Sequence, residues 1–184
     1  MQEKVYVAQA FGMIGEMYDT TPRRVDGFEL ATDISIGDPV CRKSDGTLGA
    51  YAAGSFTEFV GICVRAKEQV NYGATTALSP SLVVKAGVTA EVASMGRIIV
   101  PLKLTATGTA SGAAKTALEA LVVGDYAKLY FKDGILTTTS TGATEIGRVV
   151  KGAKGTDAYG VTETGSGTSY TATGYVNVVI EIGC

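Results

Sequence analysis

No histidine occurs anywhere in the chain. That excludes Ser-His-Asp and Cys-His nucleophile pairs and any imidazole ligation of a metal. Tryptophan is absent too, so the largest aromatic platform for a sugar ring is missing. Cysteine is limited to Cys41, Cys63 and Cys184, with no C-x-x-C spacing. An odd number of thiols in a chain without an export signal predicts reduced cysteines, with Cys41 and Cys63 as small strand residues. Charge is scarce as well: Asp, Glu, Lys and Arg together make up 18 %, and the net charge is −2. No basic block exists beyond Arg23-Arg24, so binding to nucleic acid through counterion release is not expected. No apolar run approaches the roughly 18 residues of a membrane span, and the opening MQEKVYVAQA lacks a signal-peptide core. These absences predict a soluble protein made in the cytoplasm, without a membrane partner.

Glycine is abundant, at 24 residues against 4 prolines, and threonines cluster through the second half. Low charge with much Gly, Thr and Val reads as short strands and turns, or as a surface partly covered by partners. At 184 residues the chain suits one compact domain that buries roughly 70 % of its unfolded surface.

Residues 1–30 stand apart. Val5, Tyr6, Val7, Phe11, Ile14, Met17 and Tyr18 are scattered without helical or strand period, and Asp19-Thr20-Thr21-Pro22 reads as a turn. This predicts an extended N-terminal arm ending in a strand near Arg24–Leu30, followed by a β domain over 31–184. Within that domain one pattern occurs twice. Ile36-Gly37-Asp38 opens a strand over Pro39–Lys43, Asp45-Gly46 turns it, and Phe59-Val60-Gly61-Ile62-Cys63-Val64 follows. Later, Val123-Gly124-Asp125 opens Tyr126–Lys132, Asp133-Gly134 turns, and Glu145-Ile146-Gly147-Arg148-Val149-Val150 follows. Gly37 precedes Gly61 by 24 positions and Gly124 precedes Gly147 by 23. Asp-Gly between β-rich runs is a strong hairpin signal, because both turn positions favour positive φ. The two units, about 36–66 and 123–153, are read as a structural pseudo-repeat.

Between the units, Val88–Ala93 and Arg97–Leu104 alternate apolar and polar residues, which predicts two strands separated by a turn at Met95-Gly96. Pro101 places the second at an edge or a bulge. Ser111–Val122 is the one helix candidate, with Ser111 as its N-cap. Residues 154–174 read as a long Gly/Thr/Ser/Tyr loop, and Tyr175–Ile182 as a final strand. The fold class expected is mainly β, a compact barrel- or sandwich-like domain with two hairpin units, one short helix and the arm.

Motifs for chemistry are few. Anchored on Lys115-Thr116, a phosphate-binding loop would need glycine where Thr109 and Ala114 stand. Asp38 and Asp125 precede strands in both units, which suits a turn-shaping role better than acid–base catalysis, and Asp45 and Asp133 are turn residues by the same reasoning. Asp133, Asp157 and Glu163 lack the spacing of a calcium loop. Tyr126, Tyr130, Tyr159, Tyr170 and Tyr175 read as core edge or interface. No enzyme activity, cofactor or metal is expected.

Taken together, FGMIGEMYDTTPRRVDGFEL, IGDPVCRKSDGTLGAY, FVGICV, VKAGVTAEVASMGRIIVPL and VGDYAKLYFKDGILTT with EIGRVV resemble the cement, or head decoration, proteins of tailed bacteriophages. The resemblance covers residues 9–150 and carries no catalytic signature. It implies a small, mainly β virion protein that binds the exterior of an expanded capsid and bridges neighbouring major capsid protein subunits. It also implies a symmetric oligomer, a homodimer or homotrimer. The physics of the arm is compatible: 30 extended residues reach at most about 100 Å, and an aperiodic apolar segment suits folding against a partner. Tyr6, Phe11, Ile14, Met17, Tyr18, Arg23 and Arg24 are the candidate interface residues. Gly37, Asp38, Asp45, Gly46, Gly61, Gly124, Asp125, Asp133, Gly134 and Gly147 are read as turn-forming. The rival reading is a glycan-binding or adhesion module of a phage tail or cell surface.

Overall fold

A computed structural model describes residues 13–19, 22–65 and 83–183. The strands are β1 (Arg24–Glu29), β2 (Ile34–Ser35), β3 (Pro39–Lys43), β4 (Leu48–Gly49), β5 (Phe56–Val64) and β6 (Val83–Val84). A long β7 (Thr89–Gly108) leads to the helix α1 (Ala113–Glu119) and then to β8 (Val122–Val123). The remaining strands are β9 (Lys128–Lys132), β10 (Ile135–Thr137), β11 (Thr144–Lys151), β12 (Ala153–Lys154), β13 (Tyr159–Ser166) and β14 (Ser169–Ile182). The protein is mainly β. Its large antiparallel sheet runs β10-β9-β11-β14-β7-β5-β3-β4, with β1 added to β7 and β13 added to β14.

The centre of the sheet is the β7–β14 pair, in register from Gly96 opposite Ile182 to Gly108 opposite Tyr170. Period-two alternation puts Ile98, Val100 and Leu102 of β7 and Val176, Val178 and Ile180 of β14 into one core. A second cluster, with Leu30, Ile34, Val40, Cys63, Val84 and Val92, packs on the opposite face of β3, β5 and β7. Adjacent residues of β5 serve both cores: Ile62 joins the first and Cys63 the second.

The two Gly-Asp units occupy the two wings of this sheet. In the first, β3 pairs with β4 and β5; in the second, β9 pairs with β10 and β11. Both carry the same irregularity. Val60 on β5 and Ile146 on β11 are extra residues in their ladders, and each precedes the glycine, Gly61 or Gly147. A Cβ at Gly61 would run into the Ala93 carbonyl oxygen of β7, and one at Gly147 into that of Glu181 on β14. The turns differ. Asp133 (φ 48°) and Gly134 (φ 81°) both take positive φ, whereas in the first unit Gly46 (φ 85°) does so without Asp45.

The wings fold towards each other. Phe131 of β9 meets Phe56, Phe59 and Tyr51 at ring-centroid distances of 5.4, 5.5 and 6.0 Å. Tyr51 also donates its hydroxyl to Asp133 Oδ1 at 3.1 Å, tying the first unit to the second unit's turn.

Three expectations are corrected. No turn interrupts β7 at Met95-Gly96. Gly96, at φ 129°, lets one continuous strand change partners, from β1 and β5 before it to β14 after it. Among the described residues no strand ladders on the side of β7 opposite β14 at Pro101, where a proline's missing N–H costs no sheet bond. Ser111 does not cap α1. The chain reverses from β7 into the helix through Gly112 at φ 82°, a conformation that a side chain resists. The Gly112 N–H is taken by Glu163 Oε2 at 2.9 Å. The helix is also shorter than the sequence suggests, because Val122-Val123 pairs with Ala153-Lys154 instead.

The third correction concerns residues 154–174, which are not a loop. After a 3-10 turn at Gly155–Asp157 they form a long β-hairpin, with Ser166 opposite Ser169 and Tyr159 opposite Tyr175. The final strand therefore begins at Ser169 rather than Tyr175. Thr is a good strand residue, and pairing along β14 supplies hydrogen bonds that a Gly/Thr/Ser composition by itself does not reveal.

Candidate functional site

Tyr6 and Phe11 lie outside the described residues. Met13–Asp19 runs along β7 on the edge opposite β14. Gly15 donates to the Ile99 carbonyl at 2.8 Å, Ile99 donates to Glu16 at 3.0 Å, and Tyr18 donates to Arg97 at 2.8 Å. A turn precedes this ladder, in which the Met13 N–H is bound by Glu16 Oε2 at 2.9 Å. Two glycines make the seat possible. A Cβ on Gly37 (φ 91°) would collide with Ile14, and a Cβ on Gly15 (φ 78°) with Ile36. Each isoleucine lies over the other segment's glycine.

The seven interface candidates therefore fall into separate environments. Ile14 is half-buried against its own chain, and Met17 packs on the main core. Tyr18, Arg23 and Arg24 are exposed. Arg24 already bonds Asp26 at 2.9 Å. Asp19 pairs with Arg97 at 2.8 Å, and this contact holds the arginine firmly protonated. Arg97 lies 3.5 Å from Glu181, which Arg148 binds at 2.8 Å. The Arg148 guanidinium in turn lies 5.7 Å from the centre of the Tyr126 ring. A chain of charges thus links the arm to β7, β14 and β11.

The turn residues are just as varied. Asp45 forms a local Asx turn, accepting from the Thr47 N–H at 2.9 Å and the Thr47 hydroxyl at 2.7 Å. These bonds hold its carboxyl below the usual range. Asp125 is different: its Oδ1 accepts from the Gly152 N–H at 2.7 Å, stapling the start of β9 to the end of β11. Asp38 is half-buried beside Ser35, and burial raises its pKa. Gly124 has neither positive φ nor a close neighbour, and Tyr126 takes the left-handed position (φ 62°) in its place. Sequence reading did not single out Tyr126 as special, since its strain depends on the Tyr126 N–H to Val149 O bond of 2.7 Å.

Cys41 and Cys63 are both buried and free, and they belong to different cores. Burial pushes the Cys41 thiol up to about 11. Burial, with a smaller contribution from Asp38, pushes Cys63 up to about 12. Neither has nucleophilic character near neutral pH. Among the described residues no three His, Cys, Asp or Glu side chains gather as metal ligands.

The outer face of the β7–β14 pair is grooved. Tyr159 and Tyr175 lie 6.2 Å apart, and the Tyr159 hydroxyl donates to Asn177 Oδ1 at 2.9 Å. Beside them runs a trough made of two clefts of about 340 and 310 Å³. Asp33, Asp38, Tyr51, Pro101 and Tyr175 line the first, and Thr105, Lys132, Thr137 and Thr141 line the second. Lys103 and Ile135 line both. Such a face offers contact area and hydroxyls beside the charges of Asp33, Asp38, Asp133, Lys103 and Lys132, and among the described residues no metal-ligand cluster forms on it. It is suited to binding a surface.

Residues 1–179 match the family described as structural cement protein (E217 gp24/Pam3 gp6). The chain belongs to the phage structural cement protein family. It is thus a structural protein of phage virions, as the resemblance over residues 9–150 implied. A chain of a solved structure titled "The capsid of Myoviridae Phage XM1" is 19 % identical, with 87 % of this chain and 88 % of that chain covered and a TM-score of 0.47. No curated protein matches.

Proposed function

We propose that this cement protein binds the outside of the expanded capsid and bridges neighbouring major capsid protein subunits, so that the head resists internal pressure and heat. The observation that carries this reading is the family match, which extends over residues 1–179 and so includes the arm and both wings. The geometry favours it. A single sheet pinned at both wings is a stiff strut. The hairpin of β13 and β14 adds an exposed surface whose outward residues are mostly Tyr, Thr, Ser and Gly. A neutral surface of this kind can lie against other proteins with little desolvation cost. Tyr18 and Arg23, exposed at the root of the arm, are proposed contacts with the capsid.

In this reading the protein is made in the host cytoplasm and attaches as a symmetric homodimer or homotrimer. It has no enzymatic turnover and binds neither nucleic acid nor membrane. Many modest contacts repeated across a lattice give high avidity without any single tight site. The test uses expanded capsids that lack the protein. Saturable binding at a stoichiometry fixed by lattice symmetry, with a rise in the capsid's disruption temperature, is the expected result. Binding to a glycan array with no affinity for capsids would replace this reading with the adhesion module.

A further inference from the structure

Among the described residues, the strands that close the large sheet are guarded against further pairing, with one exception. β1 carries Arg24, Asp26 and Glu29, β4 is two residues long and bridged by Leu30, and β10 packs against β7. β13 is different. It ladders with β14 on one side, runs for eight residues and holds no lysine, arginine or proline. Seven of the eight are exposed, so its other side is uncovered. Charges and prolines are the usual guards of a free edge, and an edge without them is a template for another strand.

The single charge on β13 does not guard it. Glu163 lies opposite Ala172, which is buried in the main core, so its side chain belongs to the inner face. There Oε2 accepts the Gly112 N–H at 2.9 Å, and Oε1 is buried. The helix α1 packs on that inner face through Ala114 and Leu118 and leaves the strand edge open. On the outer face Thr162 and Thr164 sit opposite Thr173 and Thr171, and the Thr162 and Thr173 hydroxyls share a hydrogen bond of 3.0 Å. From Thr162 to Ser166 the ladder has no register shift, and strand geometry turns the N–H and C=O of alternate residues away from β14.

We propose that this edge is the contact between two copies of the chain, which pair antiparallel about a two-fold axis at Thr164 and join their sheets into one. The run Thr162-Glu163-Thr164-Gly165-Ser166 is complementary to itself about that residue. Thr162 of each copy meets Ser166 of the other, repeating the hydroxyl contact that Thr162 makes with Thr173, and the two Thr164 side chains meet on the axis. Each Glu163 lies across from Gly165, which has no side chain, so the two carboxylates are kept apart. The edge offers no counter-charge to a charged strand and matches a neutral one, which a second copy supplies. A two-fold closes both open edges with one contact. It rests on the symmetric oligomer in the reading above, choosing the dimer and giving its surface.

The test is disulfide trapping of purified full-length protein in a Cys184→Ser background, where Cys41 and Cys63 are buried. Under diamide, Thr164→Cys should cross-link with itself at least tenfold faster than Lys115→Cys, which lies on the exposed face of α1. Thr162→Cys should cross-link with Ser166→Cys when the two are mixed but not with itself, because the two Thr162 positions lie about 14 Å apart in this register. If Thr164→Cys fails to fold, the mixed pair decides the matter. Thr164→Lys should weaken self-association in sedimentation at least tenfold. Thr164→Cys cross-linking no faster than Lys115→Cys, or Thr162→Cys cross-linking with itself as fast as with Ser166→Cys, overturns the proposal and leaves the capsid reading intact. Loss of capsid binding in Thr164→Lys, from a parent that stays monomeric, assigns the edge to the capsid protein and also overturns the proposal. A parent that passes the cross-linking test without binding capsids supports the dimer and overturns the capsid reading.

Discussion

Single residues in this protein are constrained by backbone crossings as much as by side-chain packing. Gly61 and Gly147 sit where neighbouring carbonyls cross the ladder, Gly46 sits at positive φ in open space, and Gly124 meets neither demand. Alanine at these positions should therefore separate into three classes. Gly61→Ala or Gly147→Ala must move a backbone and should cost at least about 1–3 kcal/mol. Gly46→Ala should cost about 1–2 kcal/mol for its left-handed conformation, and Gly124→Ala should fall within about 0.5 kcal/mol of the parent. Denaturant midpoints at constant slope give the comparison, and equal effects at all four sites would contradict it.

The buried thiols make a second prediction at this scale. Cys41 and Cys63 titrate near 9.0 when unfolded and are pushed to about 11 and about 12 when folded. Between those values the unfolded chain binds fewer protons than the folded one. The stabilising effect of the neutral thiols is thus complete below about pH 9 and is lost as pH rises towards 12, at up to about 1.4 kcal/mol per pH unit for each thiol. Stability measured from pH 8 to 10.5 should fall, with a shallower fall in Cys63→Ala. A stability independent of pH over that range would show that the thiols are not shielded.

Among elements, the segment 13–19 shows how one stretch can serve two purposes. Its backbone ladders onto β7 and Met17 packs on the core, yet Tyr18 points outward. Met17→Ala should therefore lower the protein's own stability, by about 1–2 kcal/mol, less than the 2–5 kcal/mol of a fully buried site. Tyr18→Ala should leave the melting temperature unchanged and weaken capsid attachment. A melt and a capsid-binding assay on both variants distinguish the roles, and the reverse pattern would refute them. The helix α1 depends on its context in the same way. Seven residues are too short to be helical alone, and Ala114 and Leu118 hold it against β7 and β14.

For the molecule as a whole, the two cores are not independent. Neighbouring residues Ile62 and Cys63 of β5, and Val92 and Ala93 of β7, contribute to different clusters on opposite faces of the same strands. Disordering one face removes the other's support, so unfolding should be a single cooperative transition. Far-ultraviolet dichroism and tyrosine fluorescence should give coincident curves, and two separated transitions would show that the wings melt separately. The same continuity suits a cement, because load applied at one wing passes along β7 and β14 to the other.

What the sequence by itself determined was whatever depends on neighbours along the chain. Alternation of apolar residues marked most of the strands, Asp-Gly marked the two hairpins, and the missing histidine removed whole classes of chemistry before any geometry was known. The tertiary structure decided what depends on distant partners. It seated Ile14 over Gly37 and made a hairpin of a stretch that composition alone assigns to a loop. It drew β7 straight through Gly96 and set Gly112 rather than Ser111 at the head of the helix. The reason is physical: alternation and turn propensity are local, whereas a strand's partner and a glycine's crowding are set by chain segments tens of residues away.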